Sequence, residues 1–303
     1  MQKLSVVISA FNEEKKIENC LKSVSFADEI ILVDSSSTDS TVKIAKKYTS
    51  KIFTRENNLM LNVNKNFGFT KAENDWILSL DADEKVSEEL KEEIMSILTS
   101  KLPSMNGYWI PRKNIIFGKW IKHAGWYPDH QLRFFKKDKG KFEEKNVHEM
   151  IRLDGEAEFL KEHLIHYNFE TISQFLHKHL NIYAANEADD ILAKGYVYDW
   201  LDAIRFPAKE FLSRFFAREG YKEGVHGLII SILMAFYHLV IFAKIWEMQG
   251  FKEIYDQNIL DKTEKEFKNF HKEMRYWFLN EKIKSTKNVF NRLRLKVKNK
   301  LKV

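Results

Sequence analysis

Cysteine occurs once in 303 residues, at position 20. A lone thiol leaves no internal disulfide framework and no zinc site built on cysteine pairs, and it suits a reducing compartment. There is no glycine-rich phosphate loop of the Gly-x-x-x-x-Gly-Lys type, no Gly-x-Ser-x-Gly nucleophile elbow, no internal repeat and no low-complexity stretch. Without a thiol or serine constellation, catalysis has to rest on a metal, carboxylates and positioning. The N-terminal apolar run is too short for a signal peptide and leads straight into a strand, so a cytoplasmic location is expected.

What is present begins with a core: 44% of the residues are hydrophobic, enough for one large or two modest domains. The formal charge of +6 is concentrated at the C-terminus, where Lys282, Lys284, Lys287, Arg292, Arg294, Lys296, Lys298, Lys300 and Lys302 face Glu281 alone. Such a tail can meet nucleic acid or an anionic membrane. Its interleaved Val289, Phe290, Leu293, Leu295, Val297 and Leu301 favour the membrane over nucleic acid, with a solvated terminal helix as the alternative.

The first half reads as successive strand-helix units. Leu4 to Ala10 is a β-branched apolar run, and Asn12 offers an N-cap to a helix with the face Ile17, Cys20, Leu21 and Val24. Glu29–Asp34 and the polar loop Ser35–Thr41 repeat the pattern. Two such units imply a parallel sheet with ligands gathering at the carboxyl ends of its strands. Asn12, Glu13 and Asp34 fall at such ends. So does the pair closing Trp76-Ile77-Leu78-Ser79-Leu80-Asp81-Ala82-Asp83-Glu84. If the strand continues through the pair, Asp81 and Asp83 point the same way and converge on one hard cation, Mg²⁺ or Mn²⁺, whose remaining ligand would be a nucleotide-sugar diphosphate. Lys65, on a helix expected over 64–73, either reaches a phosphate or is an ordinary surface lysine. Ser87 should cap a helix with the face Leu90, Ile94, Ile97 and Leu98.

From Gly107 to Met150 the composition turns aromatic and basic, with Trp109, Trp120, Trp126, Arg112, His123 and Arg133 among loops and strands that wall a pocket. Asp129, held beside Pro128 and aromatics that should raise its pKa, is a candidate general base or a residue that merely holds the turn. His148 is a candidate metal ligand and Glu149 a second candidate base; His163 and His166 sit where a strand or loop would close the site. From about Ser173 the chain is expected to be helical, with an apolar segment ending near Pro207. Residues Val225 to Ala243 approach the ~20 residues a membrane span needs, but contain His226, Ser231, His238 and Gly227. A buried or interfacial helix, or one that pairs two protomers in a homodimer, fits that composition better than a span. The division expected is 1–170 and 171–303.

Ser5-Val6-Val7-Ile8-Ser9-Ala10-Phe11-Asn12-Glu13-Glu14, Val33-Asp34-Ser35-Ser36-Ser37-Thr38-Asp39-Ser40-Thr41 and Leu80-Asp81-Ala82-Asp83-Glu84, in this order and spacing, resemble the family 2 glycosyltransferases of the GT-A fold. Trp126-Tyr127-Pro128-Asp129, Arg133-Phe134-Phe135 and His148-Glu149 look like the subgroup that includes lipopolysaccharide core β-1,4-glucosyltransferases. The resemblance implies an α/β fold with a Rossmann-like, mostly parallel nucleotide-sugar-binding sheet and a helical C-terminal extension. It further implies a metal-dependent inverting transferase, commonly using UDP-glucose, acting on a glycan or glycolipid acceptor at the inner face of the cell membrane. Carried over, Ala10, Asn12, Glu13 and Asp34 would line the nucleotide pocket, Asp81 would face the ribose or sugar, Asp83 the metal, and Asp129 would be the base. The sequence departs from the family's more widespread downstream Glu-Asp base signature; the nearest carboxylates there are Glu143, Glu144 and Glu149. Rival readings are a transferase acting on a polyprenyl phosphate and a non-catalytic nucleotide-sugar or membrane-binding module.

Overall fold

A computed structural model describes residues 2–57, 61–100, 105–144 and 149–301, the side chains of 61 and 298–301 excepted. They form two compact units. One comprises the residues up to Lys122 with Trp126–Glu170, the other His123–Gly125 with the residues from Thr171 onward.

The first unit is built on β1 (Leu4–Ala10), α1 (Ile17–Ser23), β2 (Glu29–Asp34), α2 (Thr41–Ala45), β3 (Lys51–Thr54), α3 (Leu61–Lys71) and β4 (Trp76–Asp81). After it come β5 (Glu84–Val86), α4 (Glu88–Thr99), β6 (Gly107–Ile110), β7 (Arg112–Ile116), β8 (Lys119–Trp120), β9 (Gln131–Lys136), β10 (Gly140–Lys141), β11 (Arg152–Leu153), β12 (Ala157–Phe159) and β13 (Leu164–Phe169). The main sheet runs β12-β6-β9-β4-β1-β2-β3. β4, β1, β2 and β3 are mutually parallel, and β9 is inserted antiparallel between β4 and β6. A four-stranded sheet, β5-β13-β7-β8, stands beside it.

Both faces of the parallel strands are covered, which is why they read as nearly unbroken apolar runs. Val6 and Ile8 on β1 face a core shared with Ile17, Cys20 and Leu21 of α1 and with Leu90, Ile94 and Leu98 of α4. Val7 points to the opposite core, with Ile31, Val33, Ile77 and Phe69 of α3. The ring of Trp76 on β4 packs 4.5 Å from that of Phe134 on β9, fastening the antiparallel insertion. Ser87 caps α4, its Oγ accepting from Leu90 N at 3.1 Å. Asn12 caps nothing: α1 starts at Ile17, and Asn12, at φ 54°, lies in the loop before it. A cavity of about 520 Å³ opens beside Asp28, Lys51 and Asn74, at the amino ends of β2, β3 and β4, away from the crevice expected to bind ligands.

The second unit contains α5 (Ile172–Leu176), α6 (Ala184–Ala193), α7 (Asp202–Leu212), α8 (Val225–Met248), α9 (Ile259–Ser285) and α10 (Val289–Leu301), with wide π turns at His177–Tyr183 and Ser213–Ala217. Pro207, where the apolar segment was expected to end, lies inside α7, which continues to Leu212. α8 packs along α7 and α6. At Gly227 a Cβ would stand 1.8 Å from the carbonyl oxygen of Gly220, so only glycine permits this approach of α8 to the turn before it.

Candidate active site

Three loops meet at the carboxyl ends of β1, β2 and β4. The register pairs Ala10 with Asp34 and Ser9 with Asp81, placing the three strand ends side by side. The left-handed backbone at Asn12 lets its Oδ1 accept from Thr38 N at 2.8 Å while its own N donates to Ser37 Oγ at 2.9 Å. Glu13 N donates to Thr41 Oγ1 at 2.8 Å. The first two loops are therefore laced into one wall. Asp34, 1% exposed, accepts from Ser37 N with Oδ2, while its Oδ1 is buried without a hydrogen-bond partner among the described residues. A buried carboxylate oxygen without a donor is costly, and a ligand N–H or O–H would satisfy it.

The acidic pair divides. β4 ends at Asp81, the chain turns at Ala82 and Asp83, and β5 begins at Glu84, so the strand that would have pointed both carboxylates the same way does not continue through them. Asp81 is clamped: Lys65 Nζ lies 2.6 Å from its Oδ1 and Arg133 Nη2 2.6 Å from its Oδ2. Burial opposes ionisation of Asp81, but Arg133 and Lys65 overcome it and hold the carboxyl well below the ordinary range. Lys65 is buried, not a surface lysine, and Asn64 beside it donates to Ser35 Oγ at 2.9 Å. Their helix reaches the sheet because of Gly68, where a Cβ would lie 2.5 Å from Val7 Cγ1 and 2.9 Å from Val33 Cγ2.

Asp83 faces β13. Its carbonyl oxygen accepts from Tyr167 N at 3.0 Å, and its Oδ2 lies 3.6 Å from His166 Nε2. Which nitrogen of that imidazole donates to Asn114 follows from Asn114 itself, whose Nδ2 donates to Trp126 O at 2.7 Å and to Asp129 Oδ2 at 2.9 Å. Both partners only accept, so Asn114 Oδ1 is left to accept from His166 Nδ1 at 2.7 Å. In a neutral imidazole with its proton on Nδ1, the Nε2 lone pair faces Asp83; in an imidazolium Nε2 donates to it instead. Two electron-pair donors 3.6 Å apart fit a single cation, since two bonds of about 2.1 Å span up to about 4.2 Å. Among the described residues no cluster of three or more His, Cys, Asp or Glu forms a metal cage. Asp83 and His166 are the pair that would supply a cation with two ligands from this part of the chain.

On the other side of Asn114 stands Asp129, at φ 39° after the cis Tyr127–Pro128 bond. Arg112 Nη2 lies 2.7 Å from its Oδ2, and Gln131 Nε2 donates to its Oδ1 at 3.2 Å. The apolar turn was expected to raise its pKa. Burial does push that way, but Arg112 and the donated hydrogen bonds prevail and lower it. Arg112 and Arg133 also hold Glu84, fully buried, at 3.3 and 3.1 Å. Glu149 lies elsewhere in the hydrogen-bond pattern, its Oε2 accepting from Glu144 N at 2.8 Å. His148 falls outside the described residues.

Arg112, Arg133, Glu84 and Asn114 were not assigned roles from the sequence. A charged residue inside the apolar strand Leu132-Arg133-Phe134-Phe135 was the available signal, because such a residue is buried only against a partner.

Residues 5–153 match the family model described as glycosyl transferase family 2. That stretch is a family 2 glycosyltransferase domain. It holds the Asp34, Asp81, Asp83 and Asp129 loops, whereas His166 lies beyond its end. The chain is 29% identical over 259 residues to an uncharacterized glycosyltransferase of Rickettsia typhi, covering 82% of this chain and 88% of that one. It is 25% identical over 255 residues to the lipopolysaccharide core biosynthesis glycosyltransferase LpsC of Rhizobium meliloti, covering 82% and 94%. Over 131 residues, 37% of this chain and 23% of the relative, it is 28% identical to the poly(ribitol-phosphate) beta-N-acetylglucosaminyltransferase TarS of Staphylococcus aureus. The structure of TarS 1–349 in complex with UDP-GlcNAc aligns with 84% of this chain and 94% of its own at 15% identity and TM-score 0.41. The mixed α/β architecture, with its mostly parallel central sheet and C-terminal helices, is the one the resemblance implied.

Proposed function

We propose that this family 2 glycosyltransferase moves a sugar, glucose in the reading its sequence favours, from a UDP-sugar onto a cell-surface glycan or glycolipid with inversion and with the help of Mn²⁺ or Mg²⁺. The observation that carries the reading is the division of the acidic pair, one carboxylate clamped between cations and the other 3.6 Å from a histidine ring nitrogen.

The first unit carries the reaction. Asp34 Oδ1 accepts from the nucleobase, a role its buried, unpartnered state among the described residues supports, and Ala10, Asn12 and Glu13 form the wall around it. Asp81 meets the ribose or sugar, its position fixed by Lys65 and Arg133 on either side. Asp83 and His166 would hold the metal, which when bound offsets the negative charge gained by the departing diphosphate. Asp129 takes the proton of the acceptor hydroxyl. Arg112 and Asn114 hold Oδ2, and Oδ1 keeps a lone pair free beside its bond from Gln131. A carboxylate of lowered pKa is a weak base, suited to a proton that becomes acidic only as the new bond forms. The lipopolysaccharide core role in the name of LpsC supports a glycolipid acceptor, reached from the cytoplasm at the inner membrane face.

The test is Asp83→Asn, assayed for transfer and donor hydrolysis across a panel of UDP-sugars with Mn²⁺ or Mg²⁺. Loss of one group that stabilises developing charge typically costs 10²–10³-fold, so a drop of about that size in kcat is expected from a folded variant. Turnover within a few-fold of the parent would remove Asp83 from the mechanism.

A further inference from the structure

α8 passes the length and composition test for a membrane span, with a mean hydropathy of 2.2, yet only 39% of its most apolar window is buried. The exposed part is ordered along the helix. Val225, Ile229, Ile232, Phe236, Leu239 and Trp246 are each at least 37% exposed and follow one another at steps of four, three, four, three and seven. They form one stripe of roughly 32 Å at 1.5 Å per residue. A stripe with this spacing is also the seam of a two-helix coil, but such seams are flanked by charged side chains that set partner and register. From Val225 to Leu239 the stripe has no Asp, Glu, Lys or Arg beside it, and Lys244 and Glu247 flank it only at its Trp246 end. An apolar face with charged flanks at one end only suits lipid.

The opposite face decides how deep the helix can go. α7, which packs along α8, carries Asp202, Arg205, Lys209 and Glu210, and Glu210 Oε1 lies 3.6 Å from His238 Nε2 on α8 itself. Carrying those charges into hydrocarbon is costly, so α8 cannot be surrounded by lipid. Only its outer stripe can enter. The same unit ends in a second element of this kind. On α10, Val289, Phe290, Leu293 and Val297 are 54–84% exposed, interleaved with Arg292, Arg294 and Lys296. Exposed aromatic and aliphatic side chains among basic ones are the composition of a helix lying in an anionic interface.

We propose that the helical unit docks the protein on an anionic lipid surface, with α8 lying in the plane of the interface, its exposed stripe inserted, and α10 supplying basic attraction. The proposal stands independently of the reaction and uses no residue of the transfer site.

The experiment is co-sedimentation of the full-length protein with vesicles of phosphatidylcholine alone or with 30% phosphatidylglycerol (about one lipid in three, ample for the potential that attracts basic segments). Binding should favour the anionic vesicles at least tenfold. Ile232→Glu with Phe236→Glu should weaken it at least tenfold, and Arg292→Gln with Arg294→Gln and Lys296→Gln should abolish the preference for anionic lipid. Both variants should retain the parent's Tm and donor hydrolysis. Bound protein should be released by an alkaline carbonate wash. Equal recovery with and without vesicles overturns the proposal. So does retention through the carbonate wash, which would mean a spanning helix, and so does a parent dimer that Ile232→Glu converts to monomer without any loss of vesicle binding, which would mean a second copy covers the stripe.

Discussion

Asn114 joins the two halves of the proposed chemistry through one buried amide, its Nδ2 on Asp129 and its Oδ1 on His166. Replaced by alanine, it leaves the imidazole free to place its proton on Nε2 and face Asp83 with a donor, which removes a metal ligand. Loss of such an outer partner typically costs 10–100-fold in metal affinity. Asn114→Ala is therefore expected to weaken Mn²⁺ binding, followed by the EPR signal of free Mn²⁺, by about that factor. Unchanged affinity would show that His166 does not bind the ion. Arg112 works on the proton instead. Its guanidinium lowers the Asp129 pKa against the effect of burial, so Asp129 stays ionised as pH falls into the ordinary carboxylate range. Without that charge the carboxylate takes up its proton at higher pH. Arg112→Gln should move the acid limb of the kcat profile upward, and a limb that stays in place would assign the base elsewhere.

At the level of elements, β1, β2 and β4 were legible because strands covered on both faces have no choice but to be apolar throughout, and Ser87 marked α4 by its capping chemistry. The turn after Asp81 was not legible. Two carboxylates one residue apart look alike in sequence, and what separates them is β5 pairing with β13, about eighty positions later in the chain. Arg133 was hidden for the same reason: its partners Asp81 and Glu84 come from another strand and another sheet. Gly68 is an element-scale device of this kind, since α3 can bring Lys65 to Asp81 only by lying close on Val7 and Val33. Alanine there gains about 1 kcal/mol of helix propensity and incurs an overpacking cost of about 1–3 kcal/mol. With the nearest contact at 2.5 Å the upper part of that range applies, so Gly68→Ala should lower stability by about 1–2 kcal/mol in urea unfolding. An unchanged midpoint would mean that α3 shifts without cost.

For the molecule as a whole, the gathering of Asn12, Asp34 and Asp81 was legible in the sequence, because they lie at strand ends that any parallel sheet brings together. His166 is set against Asp83 by a second sheet whose strands come from three separate parts of the chain, and no local pattern announces that. If the ion and the nucleotide diphosphate share the pocket as proposed, their binding must be linked, and linkage is reciprocal: each ligand tightens the other by the same factor. Typical coupling of 1–3 kcal/mol corresponds to about 5–150-fold. Calorimetric titration of Mn²⁺ with and without saturating UDP, and of UDP with and without saturating Mn²⁺, should give equal ratios in that range. The His166→Ala variant should bring both ratios close to one while metal-free UDP affinity stays that of the parent, because the contacts proposed for the nucleoside lie on the Asp34 side of the crevice. A parent protein that binds UDP equally well with and without Mn²⁺ would show that the diphosphate is held by the chain's own cations, with Lys65 and Arg133 the first to be tested.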